Sequence, residues 1–510
     1  MLDGSGSGKS ASYVIPNAFQ LLGSYVFTDP KGELYDKTAG YLKSKGYEIK
    51  VLNLVNPSTS DGYNPLMHIE SEIDVDVVAN TIVKGQKIEG STADPYWDDM
   101  AEMLLKALIY YLLATRPEEE QNLSSCAELV RAANSNGAGN LLTDLMNQLP
   151  YDHPARMNYK SIEIAPEKTY GSILSTLQSK LGKFDSKEIS ELTSTNTINF
   201  EDIGRKKMAV YVVSSDTHAA YDFLLTIFFS QMIQHLYNFA DRQGGKLPQP
   251  TYFILDEFAN IGKIPDFDKK ISTSRSRNIS FSVILQNLDQ LEAVYEKSNE
   301  TIIGNCDTTV FLGSNSQKTV EYFSKELGEK TIGRDSWSVN KDKHMLRQGY
   351  SKSDQVMARA LMTPDELRRL DGDLCIIFEK GLKPIKANKF YYFNDTHLKK
   401  LIEEYMVNHN DREKVDRGKW RKYNPYNPYV EEKEEEGKNT NTEISSLDGL
   451  FEEEDNEPTK VENNNKENKK EENKMNTSDT YDIQKELEAK FDELFGDFDD
   501  EDSNNGGSKS

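Results

Sequence analysis

The sequence predicts an α/β protein built on a doubly wound parallel sheet, with an inserted all-α region and an acidic tail. Three observations carry this. A glycine-dense turn at residues 3–10 leads into a helix-like run; short apolar runs alternate with amphipathic ones over 24–54 and again over 207–327; between them, 73–191 holds almost only helical periodicity. Strands joined by crossover helices give this alternation.

The glycine-dense turn organises the rest. In Asp3-Gly4-Ser5-Gly6-Ser7-Gly8-Lys9-Ser10 the glycines let the chain curl so that successive N–H groups point inward, and the following helix N-terminus adds to their attraction for anionic oxygens. Gly4, Ser5, Gly6, Ser7 and Gly8 would form a phosphate cradle, Lys9 would reach the β/γ-phosphates, and the Ser10 hydroxyl would hold Mg²⁺. The P-loop pattern has Gly where this chain has Asp3, whose carboxylate adds a side chain and a like charge near phosphate. The simpler alternative is a Gly/Ser turn capping a helix. A P-loop follows a buried strand of roughly five residues. Met1 and Leu2 alone precede this loop, so the reading frame is expected to start late and the intact protein to extend N-terminally.

After the loop, 11–22 reads as a helix and 24–28 as a short buried strand ending at Asp29-Pro30-Lys31-Gly32-Glu33-Leu34. A helix over 33–45 and a strand over 47–54 complete the first unit, and ligands of such sheets gather at the C-terminal strand ends. The pair Tyr96-Trp97 looks exposed, although packing under the helical insertion is its favoured reading. Strands are expected at 207–214, 251–256, 279–285 and 308–312, and helices at 219–241, 267–277, 288–296 and 318–327. Polar segments follow residue 331, then a short helix at 363–370 and two strand-like runs at 372–379 and 385–393. The expected domains are therefore 1–72 and 201–400 for the nucleotide-binding part, 73–200 for the all-α insertion, 401–430 for a linker and 431–510 for a tail.

Charge separates the tail from the body. Residues 431–510 hold 27 acidic and 10 basic residues, a net of −17 out of −23 for the chain. A near-neutral body leaves room for a local basic channel, whereas the tail has too few aliphatics to offset its ordering entropy and is expected to be disordered. Within it, Ile483, Leu487, Phe491, Leu494, Phe495 and Phe498 share one helical face over 481–498, which suits either a recognition helix that folds on a partner or a solubilising filler. Cys126, Cys306 and Cys375 stand far apart with no C-x-x-C, which points to a reducing compartment and away from structural zinc. No run of about 18 apolar residues offers a membrane span.

The chemistry-bearing constellation starts at Tyr252-Phe253-Ile254-Leu255-Asp256-Glu257, an apolar strand ending in two carboxylates. Asp256 would accept from Mg²⁺-bound water near Ser10, and Glu257 would polarise the attacking water. Such an acid pair alone is more often a solvated turn; beside Gly8-Lys9-Ser10 it points to nucleotide hydrolysis. Gln286, at the tip of the next strand, could hydrogen-bond the γ-phosphate or its water, or serve as a C-cap. Arg275 could act as a finger into a neighbouring subunit's site, or complement a helix dipole.

In this order, Gly-Ser-Gly-Lys-Ser, Asp-Pro-Lys-Gly-Glu-Leu, Tyr63-Asn64-Pro65-Leu66, Asp94-Pro95-Tyr96-Trp97, Leu255-Asp256-Glu257-Phe258 and Ile284-Leu285-Gln286 resemble type IV secretion coupling proteins, the TraG/TraD kind of conjugation ATPase, over about residues 4–395. The resemblance implies a RecA-like nucleotide-binding domain with an inserted all-α domain, using ATP and Mg²⁺. It also implies a homo-hexameric ring at the cytoplasmic face of the bacterial plasma membrane, delivering relaxase-bound single-stranded DNA to channel proteins, and membrane attachment through an N-terminal anchor outside this chain. Arg275 and Gln286 match the family's finger and sensor positions. Two other readings are an ATP-binding recruitment scaffold and a septal-type double-stranded DNA translocase.

Overall fold

The structure, a computed structural model, describes residues 1, 8–85, 94–134, 141–214, 221–340 and 349–426. The tail, with its 481–498 stretch, lies outside the described residues.

Five parallel strands form the main sheet: β1 (Ser24–Thr28), β2 (Glu48–Asn53), β3 (Met208–Val213), β4 (Thr251–Leu255) and β5 (Ile279–Val283), in the order β2-β3-β1-β4-β5. The sequence-derived α/β class with a parallel sheet holds. β1 and β3 are buried along their whole length, as strands covered on both faces must be. Because side chains alternate across a strand, each contributes to two cores. Val26, Leu52, Val210, Val212, Phe253 and Leu255 join one apolar cluster; Tyr25, Phe27, Val51, Tyr211, Val213 and Ile254 join the other, with Val14, Ile15, Leu34 and Leu42.

The first cluster runs without a break into the helical region. Its helices include Glu72–Lys84, Pro95–Thr115, Leu123–Asn134, Pro154–Glu163 and Glu167–Leu181. Pro95–Thr115 is central: Asp94 accepts the Tyr96 N–H, Pro95 starts the first turn where its missing donor is harmless, and Ala101, Leu104, Leu105, Leu108 and Leu112 are buried. Trp97 packs against this core while Tyr96 stays 43% exposed.

Several elements differ from expectation. The 11–22 helix is a π-turn over Ser10–Val14 followed by only Ile15–Ala18; Pro16 cannot donate within the turn, and Leu21 turns left-handed at φ 57°. The expected 267–277 helix breaks after Phe267–Thr273 into a 3₁₀ turn, Arg275–Arg277, closed by Asn278 at φ 66°. β6 (Thr308–Phe311) does not continue the parallel sheet. It pairs antiparallel with β9 (Leu374–Glu379), which pairs with β10 (Ile385–Asn388). The segment expected to be merely polar forms a two-stranded ribbon, β7 (Glu329–Asn340) with β8 (Gly349–Ala360). A ribbon held by its backbone ladder has little apolar signature to read; Val356 is 74% exposed.

No strand precedes the phosphate loop among the described residues, but Met1 takes a strand position. Its amino group donates to Val283 O at 2.7 Å and its carbonyl accepts from Leu285 N at 2.9 Å, the spacing of a parallel ladder on the outer edge of β5. A 660 Å³ cavity separates that edge from β6.

Residues 401–426, the described part of the expected linker 401–430, lie along the body. The helix Thr396–Tyr405 packs on Glu33–Ser44, with the Tyr41 and Tyr405 rings edge to face at 5.7 Å. The chain then crosses to the helical region: Val407 N–H donates to Asp36 O, Arg412 pairs with Asp61 at 2.6 Å, and Arg421 with buried Glu120 at 2.8 Å. Arg116 lies over the Tyr423 ring at 4.4 Å.

Candidate functional site

The C-terminal ends of β4 and β5 meet the start of the first helix. β4 stops at Leu255, so Asp256 and Glu257 stand at its tip, and Ile284 N–H donates to Leu255 O to keep the two tips level. Glu257 adopts a left-handed backbone at φ 53°, a conformation that costs a side-chain-bearing residue roughly 1–3 kcal/mol and is concentrated at functional sites.

Lys9, Ser10, Asp256, Glu257 and Gln286 come together here. Lys9 Nζ lies 3.0 Å from Asp256 Oδ1 and 3.0 Å from Glu257 Oε1. The Ser10 hydroxyl donates to Asp256 Oδ2 at 3.4 Å, and Gln286 Nε2 donates to Glu257 Oε1 at 2.9 Å. Gly8, at φ 85°, provides the left-handed step into Lys9. Gly4, Ser5, Gly6 and Ser7 lie outside the described residues.

Three contacts that sequence reading did not find fix the acid pair. Thr28 Oγ1 at the end of β1 donates to Asp256 O at 2.7 Å, Asn260 Nδ2 to Glu257 Oε2 at 3.3 Å, and the Glu257 N–H to Asp256 Oδ1 at 3.0 Å. Asn260 follows Glu257 closely, but only the tight turn over Phe258–Ile261 brings it back.

The two carboxylates differ electrostatically. Burial pushes Asp256 above the usual carboxylate range against the pull of Lys9. Burial would also raise Glu257, yet hydrogen bonds from Gln286 and Lys9 hold it below that range. Lys9 is partly desolvated, which would lower it, but the Asp256 charge and the Glu257 hydrogen bond raise it on balance, so it stays an ammonium. The cluster thus offers a fixed cation, an ionised carboxylate and a second carboxylate beside a hydroxyl.

Arg275 stands elsewhere. It is 90% exposed on its 3₁₀ turn, and its ion pair is with Asp307 at 3.6 Å. Both line the cavity beside β5. At the same strand ends, Asp29 is buried and accepts the Tyr35 N–H at 2.8 Å, and burial pushes its carboxyl up to about 6.

Residues 1–416 match the family described as type IV secretory system conjugative DNA transfer. Protein VirD4 of Rhizobium radiobacter is 25% identical over 418 residues, covering 78% of this chain and 57% of that protein. Conjugal transfer protein TraG of Escherichia coli is 27% identical over 425 residues, covering 76% and 66%. The chain thus spans about three-fifths of the length of these curated relatives. Among solved structures, the unbound bacterial conjugative coupling protein TrwBdeltaN70 aligns with a TM-score of 0.56 at 15% identity, covering 76% of this chain and 82% of that one. The plasmid coupling protein TrwB in complex with ADP and Mg²⁺ aligns at 0.53 and 15%, covering 76% and 84%. At that identity the likeness establishes the fold.

Proposed function

This chain belongs to the type IV secretory system conjugative DNA transfer family, and from that premise we propose that it is an ATP-hydrolysing motor of a conjugative coupling protein, moving relaxase-bound single-stranded DNA to the transfer channel. The observation that carries the reading is the convergence of Lys9, Ser10, Asp256, Glu257 and Gln286 at one rim of the sheet.

Each residue has a role that its surroundings suit. Gly8 and Lys9, with Gly4, Ser5, Gly6 and Ser7, cradle and neutralise the phosphates. Ser10 and Asp256 offer a hydroxyl and a carboxylate, the hard oxygens that Mg²⁺ takes from a protein when phosphate and water complete its shell. When bound, the ion supplies charge neutralisation at the phosphates. Glu257, kept ionised by Gln286, orients and deprotonates the attacking water. Gln286, touching both the next strand and that carboxylate, registers the γ-phosphate. The proposal includes a homo-hexamer at the cytoplasmic face of the membrane and Arg275 as a finger toward the neighbouring subunit. Exposure of Arg275 on a side turn suits a group that acts in trans. Among the described residues no helix is long and apolar enough to cross a membrane.

DNA-stimulated ATP hydrolysis tests the reading. Lys9→Ala and Glu257→Gln are each expected to abolish it, and Glu257→Gln to leave nucleotide bound. Hydrolysis by both variants at the parent rate would reject the motor. Absence of hydrolysis in the parent, with relaxase recruitment intact, would favour the scaffold.

A further inference from the structure

Tyr391, stacked on Phe393, lies against Gly8 of the phosphate loop, and we propose that this aromatic pair is the platform on which the base of the bound nucleotide stacks. The inference rests on the reading of Gly8 to Ser10 as a phosphate cradle.

Contact with the loop is direct. A Cβ built on Gly8 would fall 2.7 Å from Tyr391 Cε1, so the ring edge rests on the backbone of the residue before Lys9. The ring is also held: its hydroxyl donates to Gly372 O at 3.1 Å, and its face stacks on Phe393 with centroids 5.0 Å and planes 16° apart. Phe393 itself is 50% exposed, so the stack that begins at Gly8 carries an aromatic ring that solvent reaches. Tyr392 between them is committed differently. It packs against the core that holds Val14 and Ile15 and meets Phe393 edge to face at 5.5 Å, which fixes the turn Tyr392–Asn394 on the helix that starts at Ser10.

A nucleotide whose phosphates sit on the loop must direct its ribose and base away from Lys9, along the surface. A planar aromatic face at the loop's flank suits a base, because every base has a π-face and such stacking needs no hydrogen-bond readout. Phe393 provides the face, and Tyr391 sets its distance from Gly8.

Equilibrium binding of ADP and of inorganic tripolyphosphate, each with Mg²⁺, separates base from phosphate recognition. Phe393→Ala is expected to weaken ADP by about 5- to 150-fold, the equivalent of about 1–3 kcal/mol at 1.4 kcal/mol per tenfold, and to leave tripolyphosphate unchanged. Phe393→Trp is expected to restore ADP, and Lys9→Ala to weaken both ligands. Unchanged ADP affinity in Phe393→Ala, or an equal loss for tripolyphosphate, would overturn the platform while the Lys9→Ala result still supported the cradle. Full binding of both ligands by Lys9→Ala would remove cradle and platform together. If Phe393→Ala lost a single-stranded oligonucleotide but kept ADP, the face would belong to a nucleic-acid path and the proposal would be wrong.

Discussion

Gln286 Nε2 donates to Glu257 Oε1 at 2.9 Å, and the same oxygen lies 3.0 Å from Lys9 Nζ. One carboxylate oxygen thereby links the tip of β5 to the phosphate loop through the tip of β4. Against the upward push of burial, Gln286 is foremost among the contacts that keep the Glu257 carboxyl low. A water-activating base must be ionised, so Gln286→Ala, by raising that carboxyl, should move the acidic limb of the hydrolysis pH profile to higher pH. The profile of kcat against pH reads this directly, and an unmoved limb would assign Gln286 to capping alone.

Ser10 and Asp256 share a hydrogen bond at 3.4 Å where a hard cation would be held. Ser10→Ala removes one oxygen without disturbing the buried strand ends. The Mg²⁺ concentration for half-maximal nucleotide binding is expected to rise by about tenfold or more, with thermal stability unchanged. Titration of Mg²⁺ at fixed nucleotide checks it.

Gly8 has two reasons to lack a side chain: φ of 85° and the Tyr391 ring 2.7 Å from the position of a Cβ. Gly8→Ala strains the backbone by about 1 kcal/mol and must also push the ring aside. Nucleotide affinity is expected to fall at least tenfold. Tripolyphosphate binding by the double variant Gly8→Ala/Tyr391→Ala, a readout that base stacking does not enter, should show whether the strain or the ring dominates, since relief of the contact recovers that affinity only in the second case.

Asp29 is buried at the end of β1, with its carboxyl pushed up to about 6 by burial. A folded-state pKa above the unfolded value means that protonation stabilises the fold, fully below about pH 4, and that this contribution fades as pH rises through about 6. Its size is about 3 kcal/mol at most. The stability of Asp29→Asn relative to the parent should therefore improve between pH 4 and pH 7. Urea midpoints at both pH values decide it, and a constant difference would place Asp29 at an ordinary pKa.

The segment after Tyr405 ties the sheet to the helical region through Arg412–Asp61 and Arg421–Glu120. Glu120 is 2% exposed at its side chain and keeps Arg116 as a second partner at 2.6 Å. Arg421→Ala should then destabilise by about 1–3 kcal/mol, less than removal of a sole partner. Tyr423→Ala, which opens a cavity beside Arg116, should cost about 3 kcal/mol. Chemical denaturation of the two variants tests the order.

What the amino-acid sequence determined by itself was whatever depends on near neighbours. Alternating apolar runs set the strands, Gly8 set the left-handed step into Lys9, and acids and Gln286 fell at strand tips because a strand ends where its apolar run ends. Residues distant in sequence were decided only by tertiary structure. β6 joined β9 rather than the parallel sheet because pairing is a choice between edges, and a four-residue run carries no mark of its partner. The ribbon of β7 and β8 stayed hidden because its ladder is backbone to backbone. Tyr391 reached Gly8, and Arg421 reached Glu120, across most of the chain. Such contacts follow from how whole layers stack, and local periodicity holds no record of them.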